Sequence, residues 1–119
     1  AIDQPWVRRS LAECYTRLEA MRITNFRIAA DLEAGGMDVA LASTTKVYGT
    51  ESVLEILRRL MDIVGGSALV RAGSSAAYLL GELEYEIRAN TINTFGGGVN
   101  EIQRELIAQF GLGMPRPVR

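Results

Sequence analysis

The chain has 119 residues, the size of one ordinary domain, of which 48% are hydrophobic and 23% charged. That balance disfavours disordered, collagen-like and coiled-coil-only chains. Thirteen basic residues against fourteen acidic ones give a net charge of −1, without the basic excess of a dedicated nucleic-acid binder.

One cysteine, Cys14, and no histidine leave no intramolecular disulfide, no zinc site and no Ser-His-Asp or Cys-His relay within the chain. No apolar run approaches the roughly 18 residues of a membrane span. The opening Ala1-Ile2-Asp3-Gln4-Pro5 lacks the basic and apolar regions of a signal peptide. A cytoplasmic, membrane-free protein is the expectation.

A first helix is predicted from about Pro5 to Leu32. Leu11, Cys14, Leu18, Met21, Asn25, Ile28 and Leu32 follow a 3-4-3-4 spacing and share one face. Arg9–Glu13, Glu13–Arg17 and Arg27–Asp31 are i,i+4 opposite-charge pairs. Asn25 in that stripe either sets the register against another helix or sits at the stripe's edge. Gly35-Gly36 ends the element. Asp38 is a good N-cap for a second helix through Val47, Leu54, Leu57, Met61 and Val64, stopped by Gly65-Gly66. The small and polar run from Ala42 to Ser52 permits close approach of another backbone, or merely lowers helix stability.

Ser67 to Ser75 reads as a loop. A third helix is predicted over Ala76 to about Phe95, with Leu79, Leu80, Leu83, Ile87 and Ile92 inward and Glu84–Arg88 as support. Gly96-Gly97-Gly98 breaks it. Asn100 then caps a short fourth helix, with Gln103 completing a capping-box pattern and Ile102, Leu106, Ile107 and Phe110 as its buried stripe. Residues 115–119 read as an extended tail. The expectation is an all-α antiparallel up-down bundle of three long helices and a short C-terminal one, over residues 1–114.

The glycine run opening onto a helix start suits an anion, or is a plain helix–helix corner, the reading preferred on the residues alone. It is no P-loop, since no lysine follows and no strand precedes it. Of Glu82, Glu84 and Glu86, only the first and last share a helix face, so a solvated face is favoured over a metal site, and no metal ligands are assigned. Cys14 on the apolar stripe reads as a small buried hydrophobe.

Thr94-Phe95-Gly96-Gly97-Gly98-Val99-Asn100-Glu101-Ile102-Gln103-Arg104, with Gly111-Leu112-Gly113-Met114-Pro115-Arg116 beyond it, resembles the C-terminal signature of acyl-CoA dehydrogenases. Ala42-Ser43-Thr44-Thr45-Lys46-Val47-Tyr48-Gly49-Thr50-Glu51 and Met61-Asp62-Ile63-Val64-Gly65-Gly66 resemble the family's corresponding helix and glycine turn. The resemblance implies FAD-dependent αβ-dehydrogenation of an acyl-CoA thioester: a carboxylate base removes the α-proton and hydride passes from the β-carbon to the flavin. It further implies a helical domain, a β-domain and this C-terminal bundle, of which the chain covers the later part, assembled as a homo-oligomer (dimer or tetramer) or with a related subunit.

By that resemblance Gly97 stands where many members carry the catalytic glutamate, so no catalytic residue is assigned here. Gly65 and Gly66 match the turn set against a neighbouring subunit's dinucleotide, with Asp62 in place of a common glutamine. Val99 and Glu101 fall in the block that meets the cofactor, Val99 without the usual threonine hydroxyl. The family's arginine-glutamine-phenylalanine-glycine block is absent. The isolated chain is therefore expected to be inactive, to bind FAD poorly and to self-associate, and its Ala-Ile-Asp start agrees with excision from something longer. The competing expectation is a free-standing helical interaction module without activity.

Overall fold

Pro5 opens the first helix at a position where its missing N–H costs nothing, after Gln4 as N-cap. The computed structural model describes residues 1–116; Pro117 to Arg119, the end of the expected tail, lie outside the described residues. Helix α1 spans Pro5–Glu33 and closes in a Schellman motif. Gly35 takes φ +79 and donates its N–H to Leu32 O, while the Gly36 N–H reaches Asp31 O at 2.9 Å. Helix α2 spans Val39–Val64. Asp38 caps it as expected, Oδ1 accepting from the Leu41 N–H at 2.9 Å, and Gly65 stops it with φ +75.

Side-chain pairs fix how α1 and α2 meet. Glu13 bonds Arg59 at 2.5 Å, Arg17 donates to Ser52 Oγ at 3.4 Å, and the Met21 methyl lies over Gly49. Partner numbers fall along α2 as they rise along α1, so these two helices run in opposite senses. Ser43 and Ser52 are buried to 3% and 1% exposure. Ser43 and Ser52, within the small-residue run, are thus buried contact positions of α2. Glu13, expected to pair within α1, is taken by Arg59, which also holds Glu55.

The third helix departs from expectation. Only Glu82–Asn90 is α-helical (α3), with 3₁₀ turns at Tyr78–Gly81 and Thr91–Thr94. Gly81 sits at φ +80 with the chain so close that a Cβ would overlap the Ala72 nitrogen. Leu79 and Leu80 precede it at φ 49 and 56, a left-handed pair costing about 1–2 kcal/mol per residue. At the other end the Thr91 and Thr94 hydroxyls donate to the carbonyls of Ile87 and Thr91, a local competition that favours tightened turns over regular helix. Helix α4 spans Asn100–Leu106 and runs into a π-turn at Ile107–Gly111. Among the described residues all regular structure is helical.

Every other helix packs on α2. The core along it is small: Val7, Cys14, Val47, Leu54, Ile56, Ala68 and Leu83. Leu18, Leu32, Leu79, Leu80, Ile92, Ile102 and Phe110, expected inward, are exposed instead. Leu18, Leu32 and Ile102 lie on α-helices, Ile92 and Phe110 on the turns that extend them, and Leu79 and Leu80 in the left-handed turn before Gly81; no element of the described residues covers them. The radius of gyration is 17.8 Å, against about 13.5 Å for a compact chain of this length. Accessible surface is 8194 Å², against roughly 6,300 Å² for a compact monomer of this mass. The excess is of the order buried in a stable protein–protein interface.

Gly81→Ala should lower unfolding free energy by about 2 kcal/mol or more, since it adds both strain and overlap. Gly35→Ala, with a similar φ of +79 but open space around it, should cost about half as much. Urea titration separates them; equal losses would remove the close-approach explanation.

Candidate functional site

Lys46 projects from α2 toward the glycine loop, and its ammonium meets both ends of that loop. It donates to Thr94 O at 3.1 Å and to Asn100 Oδ1 at 2.5 Å. The buried Asn100 amide nitrogen donates to Thr50 Oγ1 and to Glu51 Oε1, both at 3.1 Å. Arg104, one turn along α4, bonds the same Glu51 oxygen at 2.7 Å. A buried amide thus has all its polar atoms paired, which removes the penalty of its burial.

This arrangement corrects the expected capping box. Val99 occupies the N-cap position without a side-chain cap, and Asn100 is the first helical residue, turned onto α2. Gln103 reaches back to donate to Gly97 O at 3.2 Å. Gly97 and Gly98 take φ +69 and +101, and a Cβ on Gly98 would stand 2.5 Å from the Gln103 amide nitrogen. Nothing lies within 4 Å of a Cβ on Gly97, so that position is open.

Beside the loop runs a groove of about 470 Å³ between α1, α2 and the turn after α3. Met21, Ile28, Gly49 and Val53 give it apolar walls; Asn25, Asn90 and Asn93 add amides; Lys46 and Gly96 close the loop side. Asn25 is exposed in this chain and lines this groove.

The expected cofactor residues fall into two separate places. Gly65 and Gly66 are exposed at the end of α2, in a hollow shared with Arg58, Met61, Asp62 and Leu69. Val99 and Glu101 are exposed beside the glycine loop. Asn100, between them, packs at Thr50, fifteen residues before Gly65, roughly 22 Å along the helix axis. The chain does not bring the two pairs together.

Lys46, Thr50, Glu51 and Arg104 were not singled out from the sequence. The available signal was spacing: Lys46 and Thr50, like Asn100 and Arg104, are four apart and share a face. Two of the three glutamates of α3 are engaged structurally, Glu84 with Arg88 and Arg71 and Glu86 with Asn90. Among the described residues no group of His, Cys, Asp or Glu could hold a metal ion. Burial pushes the Cys14 thiol up in pKa, against the opposing charges of Arg59 and Arg17, and keeps it protonated.

The Arg104 hydrogen bond, aided by Asn100 and the charges of Arg104 and Lys46, holds Glu51 below its ordinary pKa, against partial burial. A carboxylate with a depressed folded pKa contributes stability above its unfolded value of about 4.3, lost as pH falls through the lower folded one. Glu51→Gln should therefore be less stable than the parent at pH 6, with the gap closing below about pH 4. Urea midpoints at the two pH values check this; a gap constant with pH would contradict it.

Residues 1–112 match the family model described as the C-terminal domain of acyl-CoA dehydrogenase. The chain is 40% identical over 121 residues to acyl-CoA dehydrogenase FadE26 of Mycobacterium tuberculosis, covering 99% of this chain and 30% of that protein. It is 31% identical over 120 residues to acyl-CoA dehydrogenase IpdE1 of Mycolicibacterium smegmatis, covering 100% of this chain and 28% of that one. Among solved structures, the Tcur3481-Tcur3483 steroid ACAD is similar with TM-score 0.93 at 45% identity. The ChsE4-ChsE5 complex from Mycobacterium tuberculosis is similar with TM-score 0.91 at 40% identity. Each match covers 98% of this chain and 30% of the solved one, so the chain spans about three tenths of the length of its relatives. On this match in sequence and shape, the chain belongs to the acyl-CoA dehydrogenase family, as its C-terminal domain.

Proposed function

We propose that this chain forms the helical wall of the flavin and acyl sites in an enzyme that desaturates an acyl-CoA thioester between its α and β carbons. The observation that carries this reading is the bare glycine loop pinned to α2 beside an apolar groove with a cationic edge. When bound, FAD supplies the hydride acceptor for such a reaction. The chain's own contribution is shape. Gly97 brings no side chain to the loop, so no proton acceptor comes from it. Glu51, the carboxylate tied to the loop's far end, is a poor base because Arg104 and Asn100 hold it ionised. The base belongs to another part of the complete protein or to a related subunit.

The turn at Gly65-Gly66 suits a dinucleotide through its backbone. No atom lies within 4 Å of where either Cβ would stand, and Arg58 lines the same hollow. Asp62 sets a negative charge there, which weakens a phosphate contact without blocking it. Val99 and Glu101 would meet a flavin at the loop, about 22 Å away along α2, which suits two different cofactor copies in an oligomer.

The uncovered faces of α1, α3 and α4 supply the surface for other domains and for a second subunit, alike or related; the two solved relatives are each named as a pair of proteins. These contacts would complete the up-down bundle. The free-standing module is the weaker reading, because the chain leaves so much apolar surface open for its size. Among the described residues no helix is long and apolar enough to cross a membrane, and the single thiol is free, which suits a soluble cytoplasmic enzyme.

The test is anaerobic mixing of the natively produced protein containing this chain with steroid- and fatty-acyl-CoA thioesters. Bleaching of the flavin's visible absorption with formation of the enoyl product is expected. A colourless protein without turnover contradicts the reading. Gly66→Glu, which meets nothing in this chain, should leave helix content unchanged and lower flavin retention.

A further inference from the structure

We infer that Lys46 is the positioning residue of the glycine loop, a single ammonium that staples both ends of the Phe95–Val99 bridge to one point on α2 and thereby sets the wall that the acyl group meets. The inference rests on the reading of this groove as an acyl site. Its geometry does not. Thr94 O lies immediately before the bridge and Asn100 immediately after it, 48 and 54 residues from Lys46 in sequence, and both bond the same nitrogen.

A five-residue bridge with three glycines has little conformational preference of its own. Its own tethers are at its edges: the Phe95 and Gly96 N–H groups donate to Ile92 O, the Gln103 N–H donates to Val99 O, and the Gln103 side chain donates to Gly97 O. Without a pin at each end the bridge would sample many poses, and ordering it would weigh against binding. An ammonium suits the task because it offers three donors around one charge, here used on a carbonyl and an amide oxygen. Asn100 serves as the far anchor since Thr50 and Glu51 fix its other end. Gly96 and Lys46 line the groove together, so movement of the bridge moves the groove's edge.

The experiment compares the parent, Lys46→Met and Lys46→Arg in the natively produced, flavin-loaded protein. Exchange of the Phe95 and Gly96 amides, which both donate to Ile92 O at 3.0 Å, should quicken about tenfold in Lys46→Met, the scale of losing a charge-assisted hydrogen bond, and recover in Lys46→Arg. Exchange near Cys14 and Leu54 should not change, which separates loosening of the loop from failure to fold. KM for the acyl-CoA should rise with kcat nearly intact in Lys46→Met. Unchanged loop exchange overturns the staple. Faster exchange with unchanged KM overturns the positioning role while leaving the dehydrogenase reading in place. A parent protein without dehydrogenation sinks that reading and the acyl wall with it, and loop exchange then still decides the staple.

Discussion

The glycine loop and α4 are held on α2 by one compact polar cluster, in which a lysine, two loop ends, a buried amide and a carboxylate–guanidinium pair are joined within two helix turns. Its strength comes from completeness. Asn100 is buried at 4% exposure, and a buried amide with an unmet donor or acceptor would destabilise the contact it makes. Lys46 answers the oxygen, Thr50 and Glu51 answer the nitrogen, and Arg104 neutralises the carboxylate. Fixing α4 in this way also determines where its exposed Val99, Ile102 and Phe110 point, and so which surface is offered to the rest of an enzyme.

That polar clamp compensates for an apolar core that is thin on its own. The contact of α1 with α2 includes small residues, Gly49 under Met21 and Ser52 beside Arg17, which bury little hydrocarbon. The larger apolar side chains lie on the outer faces instead. Such a division fits a domain whose inner seam supplies registration while its outer faces supply burial against neighbours. It also accords with the left-handed Leu79 and Leu80, whose side chains are exposed in this chain, as are those of Leu69 and Tyr78.

Local signals carried much of the fold in the sequence. Pro5, the Gly35-Gly36 pair, Asp38 and Gly65 each act within a few residues, and α1 and α2 begin and end where they direct. The third helix was not legible because what breaks it is non-local: Gly81 passes against Ala72, nine residues away, and no periodicity reports that. Asn100 misled for the same reason, since its preference for a cap position yields to an amide-sized site on α2. The glycine loop and the family resemblance were readable from short strings of residues. The staple was not, because a lysine in a helix looks like any solvated charge until its partners, some fifty residues on, fold against it.

The most direct measurement is a structure of the natively produced protein with flavin and a non-reactive acyl-CoA analogue bound. The acyl group should lie along the groove between Met21 and Gly96, with Gly97 bare toward it and the Lys46 ammonium still bonded to Thr94 and Asn100. An acyl group seated on another face, or a glycine loop lifted away from α2, would contradict the role assigned to this wall.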